Sequence, residues 1–228
     1  MLLVFALVAV VAGVVGYYAR RAEQERQRAL AALAAELGLR FDPEHDSDHD
    51  DHYAQFEIFR RGHSRVAKNT MTGTLGLFGR PCAVRCGDFR YKVTRSNGKQ
   101  TTTTTHRFSY LIVHPPWDTP PLLIRPEGLF DKVAGAFGFD DIDFESSEFS
   151  KRFYVKSTEK RFAYDVLHPR MMEFLLAARP PMLDVEDGAL CLSDGSRRWQ
   201  PADFRAQIAF VRQFCDLWPR HLVKDLET

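Results

Sequence analysis

A chain of 228 residues that is 45% hydrophobic and 27% charged has the balance of a folded domain, which excludes a disordered, collagenous or multi-spanning protein. Lys and Arg number 31 against 30 Asp and Glu, and the net charge of +1 argues against nucleic acid as a partner. Four cysteines are too few for a disulfide framework.

Residues 1–18 carry no charged side chain. As a helix they would extend about 27 Å, close to the hydrocarbon thickness of a bilayer. Leu2, Leu3, Val4, Phe5, Leu7 and Val8 begin the run, and Val10, Val11, Val14 and Val15 continue it. Tyr17 and Tyr18 then fall where an interfacial aromatic belt sits, and Arg20 and Arg21 end the run. A cleaved secretory signal would need positive charge before the run and small residues after it, and both are missing. Residues 1–19 therefore read as one transmembrane anchor, with Tyr17, Tyr18, Arg20 and Arg21 at the membrane interface. Arg20, Arg21, Arg26 and Arg28 all follow the span, so the positive-inside rule expects a single-pass protein of the cell membrane with its C-terminal part in the cytoplasm.

Residues 20–41 read as a juxtamembrane helix, rich in Glu, Gln, Arg, Ala and Leu, with Gly38 as its stop. Leu30, Leu33 and Leu37 form a narrow apolar stripe suited to docking on the body. That body is expected over residues 42–222, with 223–228 as a tail.

Residues 42–52 hold six carboxylates and three histidines. His45, His49 and His52 share one face if the segment is helical, and with Asp48 they make a candidate zinc-type site. Asp46, Asp48, Asp50 and Glu57 imitate a calcium loop, but Asp51 stands where that loop needs glycine. The simpler reading needs no cofactor: a solvated linker in which Ser47 or Asp48 caps the next helix. Tyr53, Phe56 and Phe59 continue at helical spacing to Gly62.

The stretch from Arg65 to Leu77, with Val66 and the threonines Thr70, Thr72 and Thr74, reads as a strand. Asn97-Gly98 predicts a two-residue type I′ hairpin between long strands. That turn would put Phe89 opposite His106, Tyr91 opposite Thr104, Val93 opposite Thr102, and Asp88 opposite Arg107 as a cross-strand ion pair. Arg90, Lys92 and Arg95 lie near the hairpin tip and would meet anionic headgroups if the tip faces a membrane. Cys82 and Cys86 are about 13 Å apart along a strand, too far for one disulfide or one metal, and with Cys191 and Cys215 they read as small buried hydrophobes.

Pro126 is expected to open a short helix through Leu129, Phe130 and Val133. Phe149 to Lys156 reads as a strand. Helices follow over 158–167 and through Phe174 to Ala178, broken at Pro169. Asp187-Gly188 predicts a second hairpin pairing Val185 with Leu190 and Leu183 with Leu192. Pro201 then starts a helix whose face carries Phe204, Ile208, Val211, Cys215 and Trp218. The fold class is α+β: antiparallel hairpins forming a curved sheet packed by helices, preceded by one N-terminal transmembrane helix. Gly98-Lys99 lacks the first glycine of a phosphate loop, which is Val93 here, and no hydrolase, zincin or dinucleotide motif is present.

Phe149, Phe153, Val155, Ser157, Ala163, Leu167, Pro169, Met172 and Glu173, with Gly87-Asp88 and Tyr91, resemble an uncharacterised family of bacterial membrane-tethered proteins, a domain of unknown function. The resemblance implies a one- or two-span anchor with a cytoplasmic α+β domain and no assigned catalysis. It carries over no functional residues.

An anchor beside a domain with no assembled catalytic set reads as a membrane-anchored binding or scaffolding module rather than an enzyme. Its partners would be the lipid bilayer and a protein. Two rivals remain: a metal-assisted hydrolase using His45, His49 and His52 with Asp48, and a carrier holding an apolar ligand between sheet and helices.

Overall fold

The structure, a computed structural model, describes residues 1–127, 142 and 144–227, with residues 2–6, 8 and 9 described by their backbone alone. The helix expected through Leu129, Phe130 and Val133 lies outside the described residues. Pro126 itself ends a strand rather than opening a helix.

The anchor segment and the juxtamembrane segment are continuous. Helix α1 (Leu2–Leu37) runs unbroken for 36 residues, about 54 Å. It stops at Gly38, whose φ of +69° lets its N–H reach the carbonyls of Ala34 and Ala35. Leu30, Leu33 and Ala34 are buried against the body, whereas Leu7, Val10, Val11, Val14, Val15, Tyr17 and Tyr18 are exposed. Among the described residues no helix is long and apolar enough to cross a membrane. The anchor expected over 1–19 depends partly on side chains outside the described residues.

Eight strands follow: β1 (Arg40–Asp42), β2 (His63–Leu77), β3 (Arg80–Ser96), β4 (Thr101–His114), β5 (Leu122–Pro126), β6 (Phe153–Ser157), β7 (Met182–Glu186) and β8 (Ala189–Ser193). They form one antiparallel sheet in the order β1-β2-β3-β4-β8-β7-β5-β6. Helices α2 (His49–His52), α3 (Ser147–Arg152), α4 (Lys160–Val166), α5 (Pro169–Ala178), α6 (Pro201–Asp216) and α7 (Arg220–Leu226), with a 3-10 turn at Glu57–Phe59, complete the described elements. The α+β class with an antiparallel sheet and packed helices holds.

Several local expectations change. Asn97 and Gly98 sit in a four-residue loop, because the Asn97 Oδ1 accepts from the N–H groups of Lys99 (3.1 Å) and Gln100 (2.8 Å) and closes it between Ser96 and Thr101. The register moves by two, so Phe89 faces Phe108, Tyr91 faces His106 and Val93 faces Thr104. An even shift keeps every side chain on its face. It also removes the expected Asp88–Arg107 pair: Asp88 faces Ser109 and Arg90 faces Arg107. The β2–β3 turn is Phe78-Gly79, both at positive φ, where a phenylalanine hides the usual turn signature. Phe149 lies in α3 and the strand begins at Phe153. Residues 223–226, expected as a tail, belong to α7 with Val223 and Leu226 packed on the core, and the end of the 20–41 segment, beyond the Gly38 stop, holds β1. The Asp187-Gly188 hairpin has the expected register, and α6 buries Phe204, Ile208, Val211 and Cys215.

The sheet is covered on both faces. Met71, Val84, Cys86, Leu111 and Val113 meet α1 and the later helices on one face. On the other, Phe89, Phe108, Tyr110 and Ile112 lie under residues 53–59 and their rings Tyr53, Phe56 and Phe59. Ring contacts also join the helices to one another: Phe174 of α5 stacks on Phe210 of α6 (5.1 Å), and Phe214 meets Trp218 at the end of α6 (6.1 Å). All four cysteines are free and buried.

Candidate functional site

The most elaborate polar arrangement among the described residues is the seat of α1 on β2 and β3. It begins with a bulge. Asn69 in β2 takes φ +52°, and the β2–β3 register slips between Lys68 and Met71. Gly87 makes the bulge possible: a Cβ there would lie 3.0 Å from the Asn69 carbonyl oxygen and 3.1 Å from that of Lys68. The bulge turns the buried Asn69 amide toward α1, where its Nδ2 donates to Glu23 (2.8 Å) and Asp88 (3.1 Å).

Asp88 is the centre. Arg26 of α1 donates to both its oxygens, from Nε at 2.7 Å and Nη2 at 2.6 Å, and Nη2 also donates to the Trp199 carbonyl (2.9 Å). Ser109 donates its hydroxyl to Asp88 (2.7 Å) and accepts from the Trp199 N–H (2.9 Å). The Arg26 and Asp88 side chains are 8% and 2% exposed, so the pair is removed from water and satisfied by surrounding dipoles. One turn earlier Glu23 accepts from Lys68 (2.6 Å) and Arg198 (3.2 Å). Burial pushes the Glu23 carboxyl up, but the Lys68 and Asn69 hydrogen bonds and the charges of Lys68 and Arg198 outweigh it and hold the group at about 2. Chemically this is a rigid mount. It fixes the direction in which the apolar half of α1 leaves the body.

The expected site residues are placed differently. Tyr17, Tyr18, Arg20 and Arg21 stand exposed on α1, the tyrosine rings edge to face at 5.6 Å and Arg21 paired with Glu25 at 3.0 Å. The Asp/His segment does not make one helical face, since α2 covers only His49–His52. Asp48 occupies its N-cap position without a side-chain cap bond. His45, Asp48 and His52 are exposed, while His49 is fully buried among Tyr53, Phe59, Phe89 and Tyr110 at 4.6–5.6 Å. Burial, helped by the charges of Arg85 and His52, lowers His49 to about 3, so its ring is neutral. Among the described residues no group of three or more His, Cys, Asp or Glu side chains is placed to hold a metal.

A separate cleft of about 280 Å³ holds the carboxyl groups of Glu57, Asp184 and Glu186 beside Arg60 and Lys156. Burial pushes the Asp184 carboxyl up, Glu186 and Glu57 push it further, and Lys156 opposes them, leaving it at about 7.

Reading by strand pattern missed the α1 seat because it paired Asp88 within its own hairpin. The available signal was on α1, where Glu23, Arg26, Leu30, Leu33 and Leu37 share one helical face that changes from charged to apolar.

No family model and no curated protein matches the chain. Among solved structures, the crystal structure of the mycobacterial trehalose monomycolate transport factor A, TtfA, aligns with a TM-score of 0.59 at 16% identity, covering 84% of this chain and 93% of that one. The likeness is one of fold.

Proposed function

We propose that this chain is a membrane-anchored, non-catalytic binding or scaffolding module: residues 1–19 span the cell membrane once, and the α+β body stands on the cytoplasmic side. The observation that carries the reading is the division of α1. Its second half is locked to the sheet through Arg26 and Asp88, and its first half leaves the body with Leu7, Val10, Val11, Val14 and Val15 uncovered. An uncharged apolar helix of this length gains most when a bilayer solvates it. Tyr17 and Tyr18 suit the interface, and the arginines after them favour retention in the cytoplasm. The fold shared with TtfA, named as a trehalose monomycolate transport factor, fits a binding module with a transport-associated role.

Alkaline extraction of membranes from cells expressing the full chain tests the anchor. The protein should stay with the membranes, and Val11→Asp with Val14→Asp should release it. Wild-type protein in the supernatant would overturn the reading. A cysteine placed at the exposed Arg161 should react with a membrane-impermeant maleimide only after lysis; labelling of intact cells would reverse the orientation.

A further inference from the structure

Helix α1 and the β3–β4 hairpin leave the body in the same sense. Leu39, just past α1, lies against Gly73, whose strand partner is Val84, whereas Arg26 further back on the helix holds Asp88. Passing toward the N-terminus of α1 is therefore passing along β3 toward its tip. Arg20 lies about 9 Å beyond Arg26 along the helix. Ser96, at the tip, lies about 26 Å beyond Asp88 along the strand. The arm is long enough to draw level with Arg20 even where it leans well away from α1.

The arm's composition is one-sided. Residues 89–117 contain no Asp or Glu, and Arg90, Lys92, Arg95, Lys99 and Arg107 all lie between Phe89 and Phe108. None of the five forms an ion pair among the described residues. Arg90 and Arg107 stand directly opposite each other, and with Lys92 they share the sheet face that Asp88 presents to α1. Like charges opposed across strands destabilise a sheet unless an anion lies between or beside them. On the opposite face of the same strand, further in, Asp46 answers Arg85; among the described residues no carboxylate pairs with the five cations of the arm.

We propose that the β3–β4 arm is a second membrane contact, in which Arg90, Lys92 and Arg107 bind the phosphates of anionic lipid headgroups while α1 anchors the chain. The proposal rests on the anchored reading above. The seat at Asp88 is what makes it work, because a body rigidly fixed to α1 presents this hairpin, and not another edge, to the bilayer surface. Each basic side chain near an anionic leaflet favours the contact about fivefold, and the attraction fades as salt shortens the Debye length.

The test uses the full chain carrying Asn97→Cys labelled with a fluorophore, in nanodiscs that contain a headgroup spin-labelled quencher. Discs of phosphatidylcholine alone are compared with discs containing about 30% phosphatidylglycerol. Quenching should be at least about threefold stronger in the anionic discs. It should fall to the neutral level in about 0.5 M salt and in the Arg90→Gln, Lys92→Gln, Arg107→Gln variant, whose melting temperature reports that it still folds. Equal quenching in both discs, or quenching indifferent to the triple substitution, overturns the arm contact while leaving the anchor intact. An arm that instead binds an acidic protein would give that same lipid-independent result. Failure of the protein to enter neutral discs overturns the anchor reading.

Discussion

Arg26 and Asp88, 62 residues apart in the chain, close a two-armed ion pair at 2.6 and 2.7 Å beneath helix α1. Ser109 and Asn69 also engage the two carboxylate oxygens but carry no charge, and Lys68 and Arg198 are spent on Glu23, so removing Arg26 leaves the Asp88 charge uncompensated. Arg26→Met should cost about 3–5 kcal/mol. Adding Asp88→Asn to it should restore at least half of the loss, because the uncompensated charge goes too. Denaturant titration of detergent-solubilised full-length protein reads both values, and a loss below about 1 kcal/mol for Arg26→Met would mean the pair is open to water.

Gly87 and Gly76 make a matched test of the bulge. A methyl group on Gly87 meets the backbone of Lys68, Asn69 and Thr70 at 3.0–3.1 Å, whereas one on Gly76 meets nothing within 4 Å. Gly87→Ala should lose about 1–3 kcal/mol by forcing the two strands apart, and Gly76→Ala should stay within about 0.5 kcal/mol of wild type. Hydrogen exchange at Asn69 and Thr70 should rise in the first variant alone.

These contacts mark where the sequence is legible. The end of α1 is readable because Gly38 and the Leu30–Leu33–Leu37 stripe are local signals, and the Asp187-Gly188 register follows from a two-residue turn. The seat is not local. Asn69 sits in a strand that alternates poorly, and only the folded sheet shows that the irregularity is a bulge aimed at Glu23 and Asp88. The shifted register of the β3–β4 hairpin depends on whether one asparagine side chain or the backbone closes the loop, and Asn97-Gly98 suits both. The histidine spacing suggested a shared face that exists only if the segment is helical from His45 onward, and Asp46 instead pairs with Ala67 at a β-bridge.

Glu23 sets an acid limit on the seat. Its folded value of about 2 lies below the ordinary 4.5, so its contribution is complete above pH 4.5 and is lost as pH falls toward 2. A shift of that size corresponds to about 3 kcal/mol, and solvent reaching a partly exposed carboxylate reduces it to about 1–2 kcal/mol. Glu23→Gln should show that deficit at pH 7 and converge with wild type near pH 2. A deficit independent of pH would point to lost packing rather than lost charge.

Asp184 has the opposite slope. Its folded value of about 7 lies above the ordinary 3.8, so the stability it supports is present below pH 3.8 and is lost as pH rises to 7. Asp184→Asn keeps the shape without the charge. It should melt near wild type at pH 4 and above it at pH 8, by on the order of 1–3 kcal/mol. Thermal melts across that range check the sign, and a variant less stable than wild type at pH 8 would show that the ionised carboxylate is held by Lys156 after all.

His49 tests what the acidic segment is for. Its ring is neutral, fully buried and packed on four aromatic rings, and neither ring nitrogen has a hydrogen-bond partner among the described residues. An unpaired polar atom in such a place costs stability, so Phe in its position should be tolerated, within about 1 kcal/mol at pH 8. The folded value of about 3 lies below the ordinary 6.5, so wild type loses stability as pH falls from 6.5 toward 3, because the unfolded chain takes up the proton first. His49→Phe removes that penalty and should exceed wild type by about 2 kcal/mol at pH 5. Zinc should leave both melting curves unmoved. A rise in the wild-type melting temperature at one equivalent of zinc, abolished by His49→Phe, would mean the ring leaves its aromatic nest to join His45 and His52 around a metal.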